Sequence, residues 1–322
     1  MLKKFAFLIA GATAIATLSL GAHADPNYPN KPLRFHVSFP PGGSTDIAAR
    51  IIAPALSERL GQPVIVDNRA GAGGVIGADA IAKSAPDGYT LGFGTVGSLG
   101  NNVTLMPKLP YAPLKDFAPI SMAFNNPMVL VVNPALGVNS LKEFIALAKT
   151  KRINFGTPGN GSTMHLAGML LNRMAGTEIV HAPYKGAGPA AVDLLAGHIE
   201  AVIVDLATAR TYTESGRLKA LAVTSAKRSV VAPDIPTFAE EGVPGYELYS
   251  WVAIVMPAGT PAAIVERVNK EVVGLLNDPK VNEQLRNAKV EPESSTPQQL
   301  RAIIERDIKD MGDLIKAANI SL

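Results

Sequence analysis

Residues 33–46 read Leu-Arg-Phe-His-Val-Ser-Phe-Pro-Pro-Gly-Gly-Ser-Thr-Asp, and this order sets the architecture. The apolar, β-prone run 33–39 predicts a strand, and Pro40, Pro41, Gly42 and Gly43 make a turn. From about Thr45, Ile47, Ile51, Ala55, Leu56 and Leu60 fall on one helical face, with Pro54 expected to bend the helix. Strand, glycine-rich turn and helix are the first half of a βαβ unit.

The unit recurs along the chain. A second strand is predicted at 64–66, then Gly71-Ala72-Gly73-Gly74 leading into a helix over 75–83, and a third strand at 90–94. Pro107, Pro110 and Pro113 make 101–116 read as irregular. The β-prone run 128–132 breaks the rhythm, and a second series follows. Its helices are predicted at 141–149, 164–174, 189–196 and 208–214, alternating with strands at 153–155, 179–181, 201–205 and 218–224. The run 248–256 is the counterpart of 128–132. From Pro261 the pattern is helical, and Thr296-Pro297-Gln298-Gln299 has the cap, proline and glutamine that open a last helix to about Ala318. Two βα halves linked by extended segments imply two α/β lobes joined by crossing strands, with a cleft between them.

Composition narrows the classes. The chain has 322 residues, 47% of them hydrophobic, with 30 Lys+Arg against 27 Asp+Glu and no Cys. Such a chain folds, and about 300 residues suit two domains better than one core. Lys3 and Lys4, the apolar run 5–20 and Ala22-His23-Ala24 read as an export signal cleaved after Ala24, so a periplasmic protein is expected. Beyond the signal 28 basic residues face 27 acidic ones, a net charge of +1 that offers no nucleic-acid patch. Without Cys there is no disulfide framework, lipid-modified thiol or thiol nucleophile. The expected division is signal 1–24, first lobe 25–125 with 251–322, and second lobe 126–250.

Loops after strands carry function in such folds. In the first, Phe39, Gly42, Gly43, Ser44, Thr45 and Asp46 can form an amide cradle for an anion at a helix start. The same residues also suit a tight turn with Ser44 or Thr45 as helix cap. The equivalent loop of the second half is 156–163. It has the glycine spacing of a phosphate loop, but Ser162 stands where the lysine should be. Nucleotide chemistry loses its charge clamp there, and a carboxylate nest remains. His165, one turn in, is either a donor to ligand or a buried, bonded side chain. Gly92 to Gly97 match a dinucleotide fingerprint, yet Asn101, Asn102 and three prolines follow where a long helix should, so the stretch reads better as a third cleft loop with Thr95 and Ser98 as donors. Asp205 either accepts from a ligand hydroxyl or ammonium or caps the next helix. Trp251 and neighbouring tyrosines line a pocket or pack a hinge. There is no Gly-x-Ser-x-Gly elbow, no His-Glu-x-x-His and no metal-ligand spacing, so no metal, cofactor or catalytic residue is assigned.

Taken together the loops resemble a known family. Gly42-Gly43-Ser44-Thr45-Asp46 with Ala49-Arg50, and 68–74 beginning Asn68-Arg69, are similar to the substrate-binding proteins of tripartite tricarboxylate transporters, the Bug family. So are Gly159-Asn160-Gly161-Ser162 with His165, Pro183-Tyr184-Lys185-Gly186, Pro244-Gly245-Tyr246-Glu247 with Trp251, and 257–261. The resemblance implies a type II periplasmic binding fold of two mixed sheets that closes on a small carboxylate and delivers it to a membrane transporter. It implies ligand contacts by Phe39, Gly42, Gly43, Ser44, Thr45 and Asp46 in one lobe and Thr157, Gly159, Asn160, Gly161, Ser162 and His165 in the other, partly through water. Asp205 falls where family members vary their contact to the distal end of the ligand. One departure is Asn287-Ala288-Lys289, where the family usually has a glycine. A monomer that does no chemistry is expected. The competing readings are an enzyme using the 92–97 match, Asp46 or Asp205, and a partner of a sensor kinase. Gly43 and Gly161 are expected to be glycines because a branched side chain would fill the ligand's space, and Ser162 to donate to the ligand.

Overall fold

The structure, a computed structural model, describes residues 27–317; the export signal and its cleavage after Ala24 lie outside the described residues. The first half runs β1 (Leu33–Val37), α1 (Ser44–Leu60), β2 (Val64–Asn68), α2 (Val75–Ala82) and β3 (Thr90–Thr95). The proline-rich stretch read as irregular holds two single turns, α3 (Asn102–Leu105) and α4 (Pro113–Asp116). Next comes β4 (Phe117–Asn126), a strand the sequence reading missed because Pro119, Asn125 and Asn126 look like loop.

The second half runs β5 (Met128–Val132), α5 (Leu141–Ala148), β6 (Asn154–Thr157), α6 (Thr163–Ala175), β7 (Val180–Pro183), α7 (Ala187–Ala196), β8 (Ala201–Asp205), α8 (Leu206–Thr213) and β9 (Lys219–Val223). The chain then returns through β10 (Ser250–Pro257), α9 (Ala262–Leu276), α10 (Pro279–Asn287), β11 (Glu291–Pro292) and α11 (Pro297–Ala317).

Two mixed sheets result. The first has the order β11-β4-β10-β3-β1-β2 and the second β7-β6-β8-β5-β9. Within each, the βα repeats supply parallel neighbours: β1 with β2 and β3, and β6 with β7 and β8. The two runs that broke the rhythm are the antiparallel strands. β5 lies between β8 and β9, while β10 lies between β3 and β4. The chain passes from one sheet to the other at Asn126-Pro127-Met128 and returns into β10, whose Ser250 is paired with Asn126.

The cores follow the patterning. Ile52, Leu56 and Leu60 of α1 pack on Leu33 and Phe35 and on Val268 and Val272 of α9, all within 4% of full burial. α1 runs unbroken through Pro54. In the second half Leu130, Phe144, Phe155, Leu171 and Ile203 form the equivalent cluster. Trp251 is buried with Leu300 and Ile304 of α11 and donates its indole N–H to Asp307. At the familial departure, Lys289 takes a left-handed backbone (φ 61°), the conformation a glycine adopts without strain. Its ammonium is held by the Val231 carbonyl at 3.2 Å.

Candidate functional site

Three helix starts converge on one cavity of about 50 Å³ between the two sheets. Gly43, Ser44 and Thr45 open α1, Ser162, Thr163 and Met164 open α6, and Gly186, Ala187 and Gly188 open α7, and all nine residues line the space. α1 and α7 begin with glycine caps that supply no side-chain acceptor. Their first N–H groups are therefore left for whatever enters, and the dipoles of three helices add at the same place. The remaining walls come from Phe39, Thr95, Asn126, Asp205 and the start of β10. Asp205 is the sole ionisable lining residue.

Asp205 ends β8 and caps α8, accepting from the Thr208 N–H at 2.8 Å. Burial pushes its carboxyl up, partly opposed by hydrogen bonds from Thr208 and from Ser44 across the cleft. Ser44 in turn accepts from the Asn126 amide at 3.0 Å, so one hydroxyl links the start of α1 to the Asn126 crossing and to the end of β8. Asp205 is thus the helix cap, and it also lines the cavity.

Several residues expected at the ligand brace the loops. Asp46 accepts from the Gly42 N–H, the Arg50 guanidinium and the Asn68 amide at 3.0–3.1 Å. Burial would raise its carboxyl, but these bonds prevail and hold it below the usual carboxylate range. Asp46 and Gly42 brace the first cradle and do not line the cavity. Ser98 is fully buried and exchanges hydrogen bonds with Thr95, leaving Thr95 alone on the wall. Ser162 Oγ donates to the Gly159 carbonyl at 2.7 Å and accepts from the His165 N–H, which makes it the α6 cap and not a free donor. Neither Ser44 nor Thr45 caps α1; Gly43 does.

His165 is buried behind the second loop. Its ring stacks on His181 at 3.8 Å with planes 14° apart, and its Nδ1 accepts from the Gly161 N–H at 3.4 Å. His181 Nε2 lies 2.6 Å from the Thr157 hydroxyl. Thr157, Gly161 and His165 therefore shape the loop from outside the cavity, and Gly159 and Asn160 face a second, outer space. Gly92 and Gly94 lie within β3, where a Cβ on Gly92 would meet the His36 carbonyl at 2.5 Å. Those glycines serve strand and helix packing, and the fingerprint opens only a short helical stretch, Gly97–Asn101 and then α3, which ends before Pro107.

The sequence reading missed the α7 start. Its signal is the same as for the other two loops: a strand, then Lys185-Gly186-Ala187-Gly188-Pro189 before a helical run. Asn126, also omitted, came with the missed β4.

Two α/β lobes around an amide-lined cavity are the arrangement of a solute-binding protein. Residues 48–320 match the tripartite tricarboxylate transporter family receptor, and the chain belongs to that family, one of receptors and not of enzymes. It is 40% identical over 312 residues to protein BugT of Bordetella pertussis, covering 96% of each chain. Among solved structures it is similar to the R. palustris protein Rpa4515 with adipate, at 36% identity and TM-score 0.89, covering 91% of this chain and 99% of that one. MatC from Rhodopseudomonas palustris with bound malate is 31% identical at TM-score 0.83, covering 89% of this chain and all of its own.

Proposed function

We propose that this protein is an extracytoplasmic receptor, exported on its first 24 residues, that closes on a small organic carboxylate and delivers it to the membrane subunits of a tripartite tricarboxylate-type transporter. The observation that carries the reading is the convergence of three helix starts on a cavity with no basic side chain. Phe39, Gly43, Ser44, Thr45, Thr95, Ser162 and Asp205, joined by Thr163, Ala187 and Gly188, are the proposed contacts. The lobes are taken as 25–125 with 251–322, and 126–250, and the cleft is complete within one chain, which suits a monomer.

The energetics favour a closed cleft. A partly buried helix start contributes up to about 2 kcal/mol to an anion, whereas micromolar binding needs about 8 kcal/mol. Three starts fall short, so directed hydrogen bonds to charged oxygens and the exclusion of water supply the remainder.

A thermal-shift panel of mono-, di-, hydroxy- and aminocarboxylates tests the proposal. A ligand at 100 times its dissociation constant adds about 2.7 kcal/mol of stability, and its melting shift identifies the class. A panel in which no carboxylate raises the melting temperature would refute it.

A further inference from the structure

The cavity continues outward. Phe39, Pro40, Gly73, Pro158 and Gly186 line both it and an outer chamber of about 230 Å³ between residues 71–74 of one lobe and 183–186 of the other. The inner space, about 50 Å³, holds only about four water-sized groups at ~10–15 Å³ each. A carboxyl group and a short stub of carbon fill it. Any longer ligand must extend past the shared residues into the outer chamber.

The two spaces differ in their ionisable groups. Asp205 is the sole ionisable residue of the inner wall. Lys185 is the sole charged residue lining the outer one, and it is exposed with no ion pair among the described residues. The acid nearest to it on α7, Asp193, accepts from the Tyr184 hydroxyl at 2.7 Å and pairs with His198. A second carboxylate finds no room in the inner space once the first occupies it, whereas one turned outward meets a mobile ammonium on a four-carbon stem.

We propose that Lys185 forms an outer anion subsite that holds the far carboxylate of a dicarboxylate while the near one occupies the helix starts. The proposal rests on the carboxylate-receptor reading above and adds to it the orientation and the class of ligand.

Calorimetry on the full chain tests it with straight-chain diacids of three to eight carbons, each paired with the monoacid of equal carbon number. The unaltered protein is expected to bind at least one diacid more tightly than its monoacid partner. Lys185→Gln then weakens that diacid about threefold to fivefold, as for a solvent-exposed ion pair, leaves the monoacid unchanged, and Lys185→Arg keeps the preference. Equal loss for both acids, no loss for the diacid, or a preference for monoacids throughout overturns the subsite while leaving the carboxylate reading intact. Binding of no acid in either series overturns that reading and the subsite with it.

Discussion

Gly73 is required by a residue almost ninety positions away. Its backbone is left-handed (φ 62°), and a Cβ there would overlap the carbonyl oxygen of Asn160 in the other lobe. Gly161 (φ 74°) repeats the arrangement in reverse, since its Cβ would run into the side-chain amide of Asn102. The sequence reading gave Gly161 its glycine for the ligand's sake; the physical reason is the approach of one lobe to the other. Gly43 differs, because its φ is −85° and a Cβ would meet only the Pro40 carbonyl at 4.0 Å. Gly73→Ala is therefore expected to cost about 1 kcal/mol of folding stability for the left-handed backbone and to weaken ligand binding at least tenfold, because the lobes stop short of contact. Thermal unfolding and calorimetry on one preparation separate the two effects. A full stability loss with unchanged affinity would show that closure does not bring these backbones together.

At the scale of elements, the βα loops were legible wherever a strand, glycines and a helical run stood in order. That is why the starts of α1 and α6 could be named from sequence. Which loop residues face inward was not legible, because Asp46, Ser98, Ser162 and His165 are chemically as suited to a ligand as to a neighbouring backbone group. The choice is made by packing. The β6–α6 loop shows the consequence, since the stacked imidazoles of His165 and His181 hold it from behind. Burial lowers His165 to about 4, and burial together with His165 lowers His181 to about 3, against about 6.5 in an unfolded chain. Both rings are neutral when folded, so above pH 6.5 they make stability independent of pH. Between pH 6.5 and 4 the unfolded chain binds more protons, and stability falls as pH falls. Melting temperatures from pH 7.5 to 4.5 should decline below 6.5, with a shallower slope in His165→Gln. An unaltered slope would locate the titration elsewhere.

For the whole molecule, the two βα series and the two runs that interrupt them gave the two-lobed plan. β4 was hidden because Pro119 and its closing asparagines carry no alternation, and its pairing with β10 is set by the far end of the chain. The cavity belongs to neither half alone, so its lining could not be read from either. The absence of basic residues from its inner wall has a consequence for where such a receptor can work. Amide dipoles carry no counterion cloud, so dissolved sodium chloride has little to displace or shield when the anion enters. Occupancy by a monoacid is expected to be nearly the same at 0.05 M and 1 M salt, as competition with a labelled acid would register. A receptor built that way loads equally well in brine and in rainwater.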